Sequence, residues 1–108
     1  MRVQIAARHC ELPDSVRERT REHIERLDRY DPAVSAAEVV YEEIKHIKTV
    51  EVILSIDRAD PVVASGEGEE FRSALDQVVN RLRRILRRRR GQLKDHQAPR
   101  LSEEVTSD

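Results

Sequence analysis

The chain has 108 residues, a length that points to one small domain. Hydrophobic and charged residues each make up 38% and aromatics 3%, so an aliphatic core must sit inside a heavily charged surface. The single cysteine excludes an internal disulfide, no apolar run approaches the roughly 20 residues that cross a bilayer, and the N-terminus lacks the apolar stretch of a secretion signal, so the expected setting is the cytoplasm.

Charge is unevenly spread. The formal net charge is −1, yet residues 1–80 hold 11 basic against 17 acidic residues, residues 81–94 hold 8 basic and no acidic, and residues 95–108 hold 1 basic against 4 acidic. A local field of this strength, rather than the overall charge, decides which partners approach.

Arg2–Arg8 alternates, with Val3, Ile5 and Ala7 on one side, and reads as a half-buried strand. Pro13 suits the start of a helix that Asp14 or Ser15 can cap. Val16, Thr20, Ile24 and Leu27 then recur at helical spacing, and Asp31-Pro32 ends the helix near Tyr30. Ala36–Ile44 is open between strand and helix, although Val39, Val40 and Tyr41 favour a strand. Lys48–Asp57 alternates clearly, with Val50, Val52, Leu54 and Ile56 on one face, and Pro61–Glu67 reads as a short returning strand. Gly66–Gly68 reads as the turn from that strand into a helix.

Phe71, Ala74, Leu75, Val78, Val79, Leu82, Ile85 and Leu86 form an apolar stripe over four turns, which predicts one helix from Glu69 to Lys94 with Glu69 and Glu70 in its first turn. The expected class is α+β in the order β-α-β-β-β-α, a small sheet with two helices packed on one face. Residues 1–96 form the expected domain. Residues 97–108, rich in acids and without period, read as a disordered tail or the start of a linker.

On a helical wheel Arg84, Arg87 and Arg88 fall opposite the apolar stripe, with Arg83, Arg90 and Lys94 flanking it. Arg89 falls near the apolar line, so either the helix projects past the sheet there or Arg89 snorkels. Like charges at i,i+4 cost helix stability, and a segment that tolerates them points to an anionic partner. Arginine suits phosphate because its fork bonds two oxygens at once. With so few aromatics, base stacking on a single strand is disfavoured, and structured RNA read by shape and phosphate fits better than DNA or a membrane. Chemistry has little support: His9, Cys10, His23, His46 and His96 are scattered, no metal-ligand spacing occurs, the glycines lack the Lys-Ser/Thr of a phosphate loop, and no cofactor is implied.

The order of elements, together with "ASGEGEEFRSALDQVVNRLRRIL" leading into a basic end, resembles the ribosome hibernation-promoting factor family, also described as sigma-54 modulation proteins. Glu70, Phe71, Ala74, Leu75 and Asp76 match the opening of that family's second helix, and Val16-Arg17 and Arg26–Tyr30 match the two ends of its first. The resemblance implies a non-enzymatic inhibitor that occupies the messenger- and transfer-RNA channel of the small ribosomal subunit and silences idle ribosomes by occlusion. It also implies RNA contacts from Arg26 and from Arg81, Arg84, Arg88, Arg90 and Lys94, to which the wheel adds Arg87 and Arg83. The chain departs from the family at Ala7, where glycine is frequent, and at His23, where lysine is common. Pairing of ribosomes would need a further domain or another factor. The competing expectation is a protein-interaction module whose basic helix docks on an acidic partner such as a transcription factor.

Overall fold

A computed structural model describes residues 1–97, with side chains to Gly91. The elements are β1 (Arg2–Arg8), α1 (Asp14–Glu25), a 3-10 turn (Arg26–Arg29), β2 (Val34–Ile44), β3 (Ile47–Ile56), β4 (Val62–Gly68) and α2 (Phe71–Gln97). The fold is α+β in the expected order. The strands lie in the order β1-β2-β3-β4, with β1 parallel to β2 and the other pairs antiparallel. A parallel neighbour demands a crossover, and α1 supplies it.

Alternation decides the faces. Val3 of β1, Ala37, Val39 and Tyr41 of β2, and Val50, Val52, Leu54 and Ile56 of β3 are buried. They join Val16, Ile24 and Leu27 from the first helical region and Phe71, Ala74, Leu75, Val78, Val79, Leu82 and Leu86 from α2 in one core. Both helices therefore lie on one face of the sheet. On the other face Glu38, Glu51, Ser55, Val63, Ser65 and Glu67 meet solvent.

The segment open between strand and helix is the central strand β2. Its β-branched residues are paired on both sides, by β1 and β3, which outweighs any helical tendency. Tyr41 brings a hydroxyl into the core. Thr20 gives its proton to the Val16 carbonyl (2.7 Å), so the Tyr41 hydroxyl donates to Thr20 (2.5 Å) and neither polar group is stranded. Burial pushes the Tyr41 phenol above its ordinary pKa, with the Thr20 hydrogen bond opposing it. Phe71 packs edge-on against the Tyr41 ring at 5.4 Å.

Lys45 and His46 join β2 to β3 with φ of 52° and 68°. Two successive left-handed residues match a two-residue turn whose twist suits the hairpin. Gly66 lets α2 approach β4, since a Cβ there would sit 2.5 Å from the Ala74 carbonyl oxygen and 3.0 Å from the Val78 nitrogen.

Several expectations are corrected. α1 stops at Glu25, and Arg26–Arg29 tightens into a 3-10 turn. Ile24 and Leu27, both buried and three residues apart, suit that narrower winding. No side chain caps α1; the Pro13 carbonyl accepts from the Val16 and Arg17 amides instead. Gly66–Gly68 belongs to β4, because Gly66, Glu67 and Gly68 pair with Val50, Thr49 and Lys48 of β3, while on the outer edge the Glu67 amide donates to Gln77 Oε1 at 2.8 Å. Glu69 and Glu70 precede α2 rather than opening it, and the Glu70 carbonyl accepts from the Ala74 amide and the Ser73 hydroxyl. The expectation of a tail or linker falls, apart from Gln97 at the end of α2, on residues outside the described ones.

Candidate nucleic-acid interface

α2 is 27 residues long, about 40 Å at roughly 1.5 Å per residue. Leu82 and Leu86 are its last fully buried side chains among those described, and the helix continues about 16 Å beyond Leu86. Every side chain from Arg87 to Arg90 is cationic. The arginines that sequence reasoning set on one face separate into two ranks with a different partner beneath.

One rank faces β4. Arg81, Arg84 and Arg88 border a groove of about 350 Å³ whose other walls are Val63, Ala64, Ser65 and Ile85. Arg81 donates to the Ser65 carbonyl, so part of its guanidinium serves the outer edge of β4. Ile85 is corrected from the core stripe to this groove. It is 36% exposed because β4 is the edge strand and no further strand lies beyond it to cover the side chain.

The other rank faces the first helical region. Arg87 lies over the Tyr30 ring, its guanidinium carbon 5.2 Å from the centroid. Arg83 donates to Asn80 Oδ1, and by helical rotation Arg90 continues this rank into solvent. Arg26 is exposed at the start of the 3-10 turn, close enough to His23 to disfavour its protonation. The side chain of Lys94 lies outside the described ones.

Arg89 sits beneath the helix. The helix does project past its last buried leucine, and Arg89 does not snorkel: its guanidinium bonds Asp31 Oδ2, in a carboxylate side chain only 2% exposed. Asp31 and Thr20 are the buried polar residues among those described. Burial of a carboxylate is tolerated here because a fixed cation meets it.

Sequence reasoning missed a second cationic zone between the helices. Arg19 and Arg72, with Ser15 and Val16, line a notch of about 190 Å³. Arg19 reaches Asp76 of α2 at 3.8 Å, while its Nε is buried without a partner. His23, one turn further along α1, is held below its ordinary pKa by partial burial and by Arg19 and Arg26, against the weaker opposite pull of Asp76 and Glu22. In the sequence Arg19 stands among Arg17, Glu18, Arg21 and Glu22, a mixed-charge run with no local mark to set it apart. Only the packing of two helices distant in sequence shows that it turns inward.

Among the described residues no nucleophile assembly forms around His9, Cys10 or His46. His9 turns away at a φ of 58° and its Nδ1 meets Glu42 at 3.1 Å. Burial and nearby Glu43 push the Cys10 thiol above its ordinary pKa, which favours the unreactive protonated form. Among the described residues no three His, Cys, Asp or Glu side chains converge as a metal cluster.

The sequence and the backbone both have relatives. Residues 3–94 match the family described as Sigma 54 modulation protein / S30EA ribosomal protein. A ribosome hibernation promotion factor of Rhizobium meliloti is 31% identical over 97 residues; the match covers 89% of this chain and 51% of that protein, so the chain spans about half its length. A ribosome hibernation promoting factor of Azotobacter vinelandii is 27% identical, with 93% of this chain and 94% of that protein covered. The crystal structure of the Protein Y N-terminal domain from Thermus thermophilus superposes with a TM-score of 0.73 at 25% identity, over 82% of this chain and 98% of that one. The family match runs from β1 into the projecting half of α2, and by it the chain belongs to the Sigma 54 modulation protein / S30EA ribosomal protein family, the hibernation-promoting group whose helix motifs it carries.

Proposed function

We propose that this protein is a non-enzymatic, ribosome-associated translation inhibitor. It binds ribosomal RNA of the small subunit in the channel for messenger and transfer RNA, in the cytoplasm, and inactivates idle ribosomes by occupying that channel. Family membership and the names of the relatives support the ribosome as partner. The observation that carries the RNA reading is the doubled rank of arginines on the projecting half of α2. Arg84, Arg87, Arg88 and Arg90 are exposed, and no acid interrupts them. Two ranks either side of a helix crest can meet phosphates on two sides of a strand, and Arg26 adds an exposed cation on the first helical region. Such a surface discriminates by shape and charge rather than by base identity.

Co-sedimentation with purified small subunits tests the proposal. Binding is expected to weaken steeply with salt, because each phosphate contact releases counterions. Reversal of Arg84, Arg87 and Arg88 to Glu together is expected to lower affinity by at least about a hundredfold while leaving the folded core intact by circular dichroism, since all three side chains are exposed and the body loses only the Arg87–Tyr30 contact. A folded triple variant that binds normally would remove the arginine ranks from the site. The groove beside β4, with exposed Val63 and Ile85 between arginines, favours a second reading as a dock for an acidic, partly apolar protein segment. Nuclease treatment separates the two, because a protein partner survives it.

A further inference from the structure

We infer that Asp31 is a positioning residue for RNA binding: tied to Arg89, it holds the projecting half of α2 at the bearing from which Arg84, Arg87 and Arg88 reach phosphate. This rests on the RNA-binding reading above. Beyond Leu86 no described side chain of α2 is apolar, so the hydrophobic effect does not fasten residues 87–91 to the body. Their local energetics oppose a helix. Arg83 and Arg87, and Arg84 and Arg88, are like-charged i,i+4 pairs, and Gly91 adds a residue of poor helical propensity with no heavy atom near its missing Cβ.

Two contacts offset this, and both land on adjacent residues. Arg87 covers the Tyr30 ring, and Arg89 bonds the Asp31 carboxylate. Asp31 is itself immobilised. Its Oδ1 accepts the Ala33 amide at 3.0 Å and its carbonyl accepts the Val34 amide at 3.1 Å, so it is anchored to the start of β2. The carboxylate is buried and its guanidinium partner is largely so. A single direction for the helix satisfies both, and leaving either charge buried alone is costly. The same bond withdraws Arg89 from the cations available to a ligand.

The test uses charge against geometry. Asp31→Asn preserves size and can still accept the Ala33 amide, but loses the ion pair and raises the net charge by one. If the arginines acted only as a positive cloud, this variant would bind small subunits at least as tightly as the wild type. The expected result is about a tenfold weaker affinity, with amide exchange quickened in residues 86–91 and unchanged in 74–82. Asp57→Asn, which changes the same charge at an exposed position, is the control and is expected to bind as the wild type does. Arg89→Lys is expected to keep most of the affinity, and Arg89→Gln to lose it together with quickened amide exchange in residues 86–91, which loss of charge alone would leave unchanged, so this pair decides the matter if Asp31→Asn does not fold. Wild-type or tighter binding by folded Asp31→Asn, or equal binding by the two Arg89 variants, overturns the inference. Failure of the wild type itself to bind small subunits overturns the RNA-binding reading instead, and amide exchange on the free protein still reports whether Asp31 holds the helix.

Discussion

His23 shows how a side chain registers the field around it. Arg19 and Arg26 flank it on α1 and it is partly buried, so its proton is bound less readily in the folded chain than in the unfolded one. The sign of the linkage follows. As pH falls through about 6.5, the unfolded chain takes up a proton that the folded chain resists, so stability is lost on acidification. His23→Gln removes this contribution. The drop in Tm between pH 7.5 and pH 5 is expected to be smaller in that variant by about a degree or two, as read by thermal melts of both proteins. Bound phosphate at the same seam would act in the opposite direction, by stabilising the imidazolium.

At the scale of elements, α2 lies close against β4, and Gly66 permits that approach. Gly66→Ala places a methyl against the backbone of α2, which cannot give way as a flexible side chain would. A loss of about 1–3 kcal/mol in denaturant unfolding is expected, with the projecting arginines displaced along with the helix. Periodicity made α2, β1 and β3 legible in the sequence because each repeats one face over many residues. The hairpin turn was not legible: Lys45-His46 lacks the glycine or asparagine that usually marks two left-handed residues, so only the strands pairing on either side reveal it. The candidate site divides in the same way. The exposed arginines of α2 follow from a wheel. Arg19 and Arg72 do not, because their juxtaposition depends on where two helices cross. Arg89 left one signal, a charge on the apolar line, but its partner stands 58 residues away and no local pattern names it.

The whole molecule is polarised. The open face of the sheet exposes Glu38, Glu51 and Glu67, while the projecting end of α2 exposes arginine. A predominantly negative body behind a positive site turns the site toward a polyanion and disfavours its approach elsewhere. Glu38→Lys with Glu51→Lys is therefore expected to raise affinity for unstructured RNA severalfold and to change affinity for small subunits less, narrowing the preference; filter binding of both ligands measures it. Polarity also protects the sheet. Arg17 and Arg21 reach the Ile5 and Val3 carbonyls on β1, as Arg81 and Gln77 reach the outer edge of β4, so both edges offer another strand few free groups.

The bond between Asp31 and Arg89 also orders events in time. During synthesis Asp31 is made 58 residues before its partner, and the apolar stripe of α2 that closes the core is made late as well. The nascent chain can pair β2 with β3, but it cannot bury that carboxylate or aim the arginines until residue 89 is free to fold back. Until then a growing chain lacks the ordered arm by which the protein is proposed to grip a ribosome, so the order of synthesis delays the site behind the body that carries it.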